Sequence, residues 1–313
     1  MAAKKYFVFL IFFKIVFFSS QSFDVIPLGI YGGDREDNLS AYLVSKHGSS
    51  SFLSLDAGTI NAGIREAIAQ ETIQDSAVHF LKNNIKGYFI SHAHLDHISG
   101  LIINSPADSQ KEIYCLPKVK DIILKHYLMP ETWVNFSDEG EKPLGKYHFQ
   151  TPIQGEIFEI KNTELSATMF QLSHVEPYKS SALLVKNGED ALLYFGDTGA
   201  DRIEKSNAIN QIWTAIAPTI KNHQLKAIFI EVSFPNSQPE HLLFGHLTPK
   251  LLFEELKILS KKVGEQNMKG LNIVITHIKP SGQNEEKIKK ELKELNDLGV
   301  YLIFPVQGKK IQF

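Results

Sequence analysis

Three histidines and an aspartate fall within six positions of SHAHLDHISG, Ser91 to Gly100, directly behind the apolar run GYFI. In an extended segment alternate side chains point the same way, so His92 and His94 face together, and Asp96 and His97 follow where the chain leaves the strand. Neutral imidazole and carboxylate are ordinary ligands of zinc and similar divalent ions. One strand end can therefore face two cations, with two imidazoles toward one and an Asp-His pair toward the other. It cannot complete two coordination shells. The remaining donors must arrive from other strand ends, which forces several apolar strands to finish at one edge of the fold.

Such donors exist. His174 follows FQLS, Asp197 follows ALLYFG, and His277 follows NIVIT. An isolated histidine is more often a satisfied structural residue than a ligand. Three donors at matching strand ends, beside HAHLDH, favour a metal site.

The pattern between these points is alternating β and α. FDVIPLGIY, SAYLVSKHG and SSFLSLDAGT read as strands separated by turn clusters such as GGDREDN. Residues 61–83 carry a helical apolar face, EIYCL reads as a strand, and PKVKDIILKHYL as a helix with proline in its first turn. GEIFEI and ELSATMFQLS are further strands, and Asn187-Gly188 between two apolar runs marks a hairpin. LKAIFIEVSF is a buried strand, LTPKLLFEELKILSKKV a helix opened by Thr248, and NEEKIKKELKELNDLG a charged solvated helix before closing strands. No linker or repeat divides the chain, so residues 23–313 read as one domain of paired sheets with helices outside.

The start of the chain differs from the rest. Lys4 and Lys5 precede YFVFLIFFKIVFF, and SSQS follows, the order of a secretory signal peptide over residues 1–22. Lys14 inside the apolar run weighs against a kept membrane anchor. The expectation is an exported protein, periplasmic or secreted, with no membrane span once the leader is removed. Cys115 is the single cysteine, so no intrachain disulfide forms, and its apolar setting suits a core thiol. A formal charge of −2 gives no basic field for a nucleic acid polymer, which makes a small ligand the better expectation. Subunit number stays open, a homodimer included.

HAHLDH followed in order by His174, Asp197 and His277 resembles the metallo-β-lactamase superfamily. The resemblance implies an α/β fold, a four-layer αβ/βα sandwich with two metals at one edge of the sheets. It implies that His92, His94 and His174 hold the first metal, that Asp96, His97 and His277 hold the second, and that Asp197 bridges. Asp56 in LDAGT resembles the superfamily's early Asp-Gly turn and is read as structural. The longer run HAHLDHISGLIINSP, with LSH, SSALLV, GDTG, IWTAIAP, IFIEVSFPN, FGHLTP and THIKP, is similar to the class II 3′,5′-cyclic-nucleotide phosphodiesterases from Ser91 to Pro280.

The expected chemistry follows from that resemblance. Two metals roughly 3.5–4 Å apart acidify a bridging water and shield a phosphodiester anion from its attack. Hydroxide attack on phosphorus, with departure of O3′, turns cyclic AMP, and by extension cyclic GMP, into the 5′-monophosphate. Zinc suits the mixed donors, with manganese or iron as competitors. Asp96 counts both as a ligand and, with His246 and Glu231, among the catalytic residues. His246 in FGHLTP would protonate O3′ while Glu231 in IFIEVSF holds its ring, a pairing that resembles the Glu and His of tRNA 3′-end endonucleases. The bland alternative makes His246 a helix cap or phosphate contact and Glu231 an outer support of the metals. Trp133 and Trp213 read as core aromatics rather than base platforms. The rival functions are another hydrolase of the same superfamily, acting on RNA ends or lactams, and an exported nucleotide-binding protein without turnover.

Overall fold

The computed structural model describes residues 21–313, so residues 1–20 and the leader reading that falls on them lie outside the described residues. The first half runs β1 (Phe23–Gly29), β2 (Ala41–Lys46), β3 (Phe52–Leu55), α1 (Asn61–Ala69), α2 (Ala77–Asn83), β4 (Ile85–Phe89), α3 (Leu95–Asn104), β5 (Lys111–Tyr114), α4 (Pro117–His126) and β6 (Tyr147–Gln150). The second half runs β7 (Ile157–Glu159), β8 (Ser166–Ser173), β9 (Lys179–Asn187), β10 (Asp190–Phe195), α5 (Asp201–Glu204), α6 (Ala208–Lys221), β11 (Leu225–Glu231), α7 (Pro249–Val263), β12 (Asn272–Thr276), α8 (Asn284–Leu295), β13 (Tyr301–Ile303) and β14 (Ile311–Gln312).

The strands form two seven-stranded sheets, ordered β14-β1-β2-β3-β4-β5-β6 and β13-β12-β11-β10-β9-β8-β7. Each sheet changes from antiparallel to parallel pairing part-way across, at β3-β4 in one and at β10-β11 in the other. Helices cover the outer faces, which gives the expected four layers. The strand composition requires this. In β10, Leu192 and Tyr194 join the core between the sheets, while Ala191, Leu193 and Phe195 face the helices with Trp213 of α6. A strand buried on both faces reads as a continuous apolar run instead of an alternating one. Tyr42 of the first sheet meets Phe229 of the second edge-on, with ring centroids 5.6 Å apart.

The helix expected over residues 61–83 is two helices. The chain leaves α1 through Glu71, whose φ of 57° is left-handed, and restarts where Ser76 accepts a hydrogen bond from the His79 N–H. Ser22, at the expected leader boundary, is bonded into the domain: its N–H donates to the Phe313 carbonyl and its own carbonyl accepts from the His47 N–H. Cys115 is buried just after β5, and burial pushes its thiol up to about 12.

Candidate metal centre and its comparisons

The loops that matter all leave the carboxyl ends of strands β3, β4, β8, β10, β11 and β12, at one edge where the two sheets meet. Beyond β4 the chain stays extended to His94, which is the N-terminal flank of α3, so Asp96 and His97 lie in the helix's first turn. The His92 Nε2 and His94 Nδ1 atoms stand 3.0 Å apart, and His174 Nε2 from the end of β8 stands 3.3 Å from the same His94 atom. Asp197 Oδ2 lies 3.6 Å from His92 Nε2 and 3.3 Å from His277 Nε2, while its Oδ1 is 3.2 Å from His97 Nε2. Asp96 Oδ2 lies 3.1 Å from His277 Nε2. Three donor groups result, His92-His94-His174-Asp197, Asp96-His97-His277 and Asp197-His246-His277, in each of which the donor atoms lie within 4.8 Å of one another.

The imidazoles are aimed. His97 Nδ1–H donates to Asp56 Oδ2 (2.8 Å), His174 Nδ1–H to the Gly245 carbonyl (2.9 Å), His277 Nδ1–H to Ser233 Oγ (3.0 Å) and His92 Nδ1–H to Ser91 Oγ (3.1 Å). Each ring thereby turns its Nε2 lone pair inward, the arrangement that outer hydrogen bonds impose on metal-binding histidines. His97 Nε2 and Asp197 Oδ1 are buried without any hydrogen-bond partner, which a cation between them would supply. Electrostatics agree. Burial, together with neighbouring histidines, lowers His92, His94 and His174, the last to about 4, so these rings are neutral at pH 7, the form that can bind a cation. Burial opposes ionisation of Asp96 and Asp197, yet His277 and His97 outweigh it and hold both carboxyls well below the usual range. Burial likewise opposes a charged His97, but Asp197 and Asp56 raise it well above its ordinary value. The positive charge those carboxylates draw onto His97 is the charge a bound cation brings. The donor set therefore fits divalent metal.

Glycines make room for this packing. A Cβ on Gly32 would stand 2.1 Å from the His277 ring, and the Gly33 N–H donates to Asp96 Oδ2 (2.9 Å). The pair was legible in the sequence only as a turn; its position after an apolar strand was the available signal.

His246 and Glu231 are also together. Glu231, fully buried, accepts from His246 Nδ1–H (2.8 Å), Ser233 Oγ–H (2.7 Å), Thr198 N–H (3.2 Å) and Leu247 N–H (3.3 Å). His246 Nδ1 comes within 3.8 Å of Asp197, and the ring belongs to the third donor group, but its Nδ1–H is given to Glu231. Asp56 ties Ser91, His97 and Tyr194 together from the end of β3. Trp213 is enclosed in the core against Phe195 as expected, whereas Trp133 is exposed and not a core residue, with its Nε1–H donated to Ser105 Oγ (3.0 Å). Neither lines the cavity beside the donor cluster. His47, His79 and His148 pair with Asp24, Asp75 and Asp138, away from the cluster.

The cavity next to His92 and His94 has a volume of about 630 Å³. Val119, Ile122 and Tyr127 line it from α4 and its end, Tyr178 faces them from the loop before β9, and Lys118 and Lys179 stand at its walls. The sequence reading passed over all of these, because tyrosine and lysine at a helix end carry no distinguishing pattern.

The likenesses to known proteins agree with this geometry. A family profile described as "cAMP phosphodiesterases class-II" matches residues 23–308. A 3′,5′-cyclic-nucleotide phosphodiesterase of Aliivibrio fischeri is 43% identical over 95% of this chain and 95% of its own. A probable 3′,5′-cyclic-nucleotide phosphodiesterase of Yersinia pestis is 39% identical over 94% of this chain and 90% of its own. Among solved structures, unliganded yeast PDE1 superposes with a TM-score of 0.82 at 22% identity, covering 94% of this chain and 100% of the yeast one. The metallo-β-lactamase fold protein YhfI of Bacillus subtilis gives a TM-score of 0.61 at 16% identity, over 93% and 100%. With its paired sheets, its histidine and aspartate cluster and a profile match across the folded body, the chain belongs to the class II cyclic-nucleotide phosphodiesterases, hydrolases of the metallo-β-lactamase fold.

Proposed function

We propose that the chain hydrolyses cyclic AMP, and cyclic GMP with it, to the 5′-monophosphates at a centre of two divalent cations. The observation that carries this reading is the first two donor groups meeting at Asp197, each lined by inward-turned imidazole nitrogens. His92, His94 and His174 would hold one cation, Asp96, His97 and His277 the other, with Asp197 between them. Zinc suits this nitrogen and oxygen set, and manganese or iron are its competitors. Bound there, the pair supplies a hydroxide nucleophile at neutral pH and neutralises charge on the phosphodiester.

The protein's own groups supply the rest. His246, held through Nδ1 by Glu231, presents Nε2 toward the space where O3′ departs. General acid help of this kind is worth about 10²–10⁴-fold. The cavity beside His92 and His94 receives the base and ribose, with Tyr127 and Tyr178 as the aromatic surfaces; its volume is in the range of small-molecule sites, roughly 300–1,000 Å³. Tyr127 is braced for this, its hydroxyl donating to the Ala93 carbonyl (3.2 Å) within the donor loop. Export follows from the leader pattern. The bonding of Ser22 to Phe313 and His47 favours counting that residue with the folded body rather than with the leader.

Metal-titrated protein incubated separately with cyclic AMP, cyclic GMP and a β-lactam tests the assignment. Metal-dependent appearance of nucleoside 5′-monophosphate is the expected result. Lactam opening without nucleotide turnover, or tight cyclic nucleotide binding with no monophosphate, contradicts it.

A further inference from the structure

The far side of His246 carries a group that neither the metal cluster nor the Glu231-His246 pair accounts for. Lys279 Nζ stands 3.0 Å from His246 Nε2. It comes from the loop after β12, two positions beyond His277, and its backbone N–H donates to the Ser233 carbonyl (3.2 Å), which sets it against the loop that follows Glu231. The ammonium also lies 5.2 Å from the centre of the Phe234 ring. An aromatic face beside a cation restricts where the cation can go.

Hydrogen-bond inventory settles the direction of this contact. An ionised carboxylate only accepts, and Glu231 already receives Ser233 Oγ–H and two backbone N–H groups besides the His246 ring. His246 Nδ1 therefore carries its proton, and Nε2 of the neutral ring is an acceptor. An ammonium only donates, so Lys279 donates a hydrogen bond to that Nε2 lone pair and keeps its charge. The nitrogen that His246 would offer to a leaving oxygen is thus covered by a lysine. A positive group beside a cation centre is unfavourable there unless something anionic comes between them. The ligand class that answers this is a phosphodiester, whose non-bridging oxygens carry the negative charge.

We propose that Lys279 is a substrate-contacting residue: its ammonium donates to a non-bridging phosphate oxygen at the edge of the metal centre, and in moving onto that oxygen it frees His246 Nε2 to take a proton from solvent water and pass it to the departing ester oxygen. The identity of the anion as a cyclic phosphodiester rests on the phosphodiesterase reading. The anion site itself rests on the Lys279-His246-Glu231 geometry and on the donor cluster beside it. Lys279 acts here by its fixed charge, as cationic clamps on transferring phosphoryl groups do.

The test compares the wild type with Lys279→Met and Lys279→Arg, all as the full folded chain loaded with the same metal. Titration calorimetry with inorganic phosphate is the first readout. A charge-assisted hydrogen bond is worth enough for about a 10- to 100-fold weaker phosphate affinity in Lys279→Met, with most of it regained in Lys279→Arg. Metal content per chain stays at the wild-type value. In steady state Lys279→Met raises KM for cyclic AMP and lowers kcat, whereas a merely structural lysine would shift stability and leave the phosphate titration unchanged. Lys279→Gln replaces the methionine variant if that one does not fold. Phosphate binding within twofold of wild type in the neutral variants overturns the proposal, and so does a loss of affinity that tracks loss of metal. A wild-type protein that binds phosphate through Lys279 yet leaves cyclic nucleotides intact would sink the phosphodiesterase reading and uphold the anion site.

Discussion

Asp56 and Glu231 are the same device used twice, once in each sheet. Both are fully buried carboxylates where a strand gives way to a loop, Asp56 just past β3 and Glu231 closing β11. Each takes a histidine Nδ1–H at 2.8 Å and is otherwise filled by a serine hydroxyl and backbone or tyrosine donors. The outcomes differ in what the far ring nitrogen meets. His97 turns Nε2 onto Asp197 and the donor cluster, while His246 turns Nε2 onto Lys279. A carboxylate-histidine pair thus fixes ring orientation and tautomer in both sheets. On the proposed reading, the neighbour of the second nitrogen decides whether the ring is a ligand or a reagent.

The sharpest way to break this comparison is His246→Asn, whose amide can still donate to Glu231. If His246 is a reagent, kcat for cyclic AMP falls by about 10²–10⁴ while metal content per chain is unchanged. Metal loss in this variant would make His246 a ligand and erase the contrast. Asp56→Asn is the mirror experiment. It turns an amide donor toward groups that already donate, frees His97, and is expected to weaken metal binding about 10- to 100-fold, with activity restored by excess metal. Competition against a chromogenic chelator reads this directly.

Tyr127→Ala touches neither pair and sharpens the contrast by separating base binding from chemistry. Stacking on an aromatic ring is worth about 1–3 kcal/mol per base, so KM for cyclic AMP rises roughly 5- to 100-fold with kcat changed far less. A kcat loss matching that of His246→Asn would place Tyr127 outside the base pocket.

Glu255 supplies the comparison's control, a buried carboxyl without an imidazole. Burial raises it to about 7 against the hydrogen bond from the Asp201 N–H and the charge of Arg202, with the carboxylates of Asp201 and Glu254 adding to the rise, and its Oε2 has no hydrogen-bond partner. Because the folded value lies above the usual 4.5, the fold holds a proton that the unfolded chain has shed, and stability declines as pH rises through that window. Glu255→Gln keeps an acceptor for the Asp201 N–H and removes the titration. It should melt a few degrees above wild type at pH 8 and close to it at pH 5, by scanning calorimetry. A reversed order would show that ionised Glu255 has a partner.

The parts of this account legible in the sequence share a physical reason. Histidine and aspartate are costly at the ends of apolar strands unless something uses them, so His92, His97, His174, Asp197 and His277 stood out from their surroundings, and the apolar strands themselves required layers on both faces. Asp56 was recognisable as a turn residue, but its bond to His97 spans 41 positions and arises only when β3 and α3 pack together. The break between α1 and α2 was hidden because the apolar spacing continues across it, while Glu71 and Ser76 act through backbone conformation and capping. The roles of Lys279, quoted only within THIKP, and of Tyr127 were hidden for a different reason. Lysine and tyrosine are common surface residues, and their meaning here comes from loops that return to the donor cluster, a tertiary fact that no local pattern encodes.

The central claim is that caged cations ready a water for attack on phosphorus. Hydrolysis of cyclic AMP by the metal-loaded protein in ¹⁸O-labelled water, with the product read by mass spectrometry, tests it most directly. The account predicts 5′-AMP carrying a single solvent-derived oxygen on phosphorus, with none formed after chelation. Formation of 3′-AMP, or 5′-AMP whose phosphorus has gained no solvent oxygen, would contradict it.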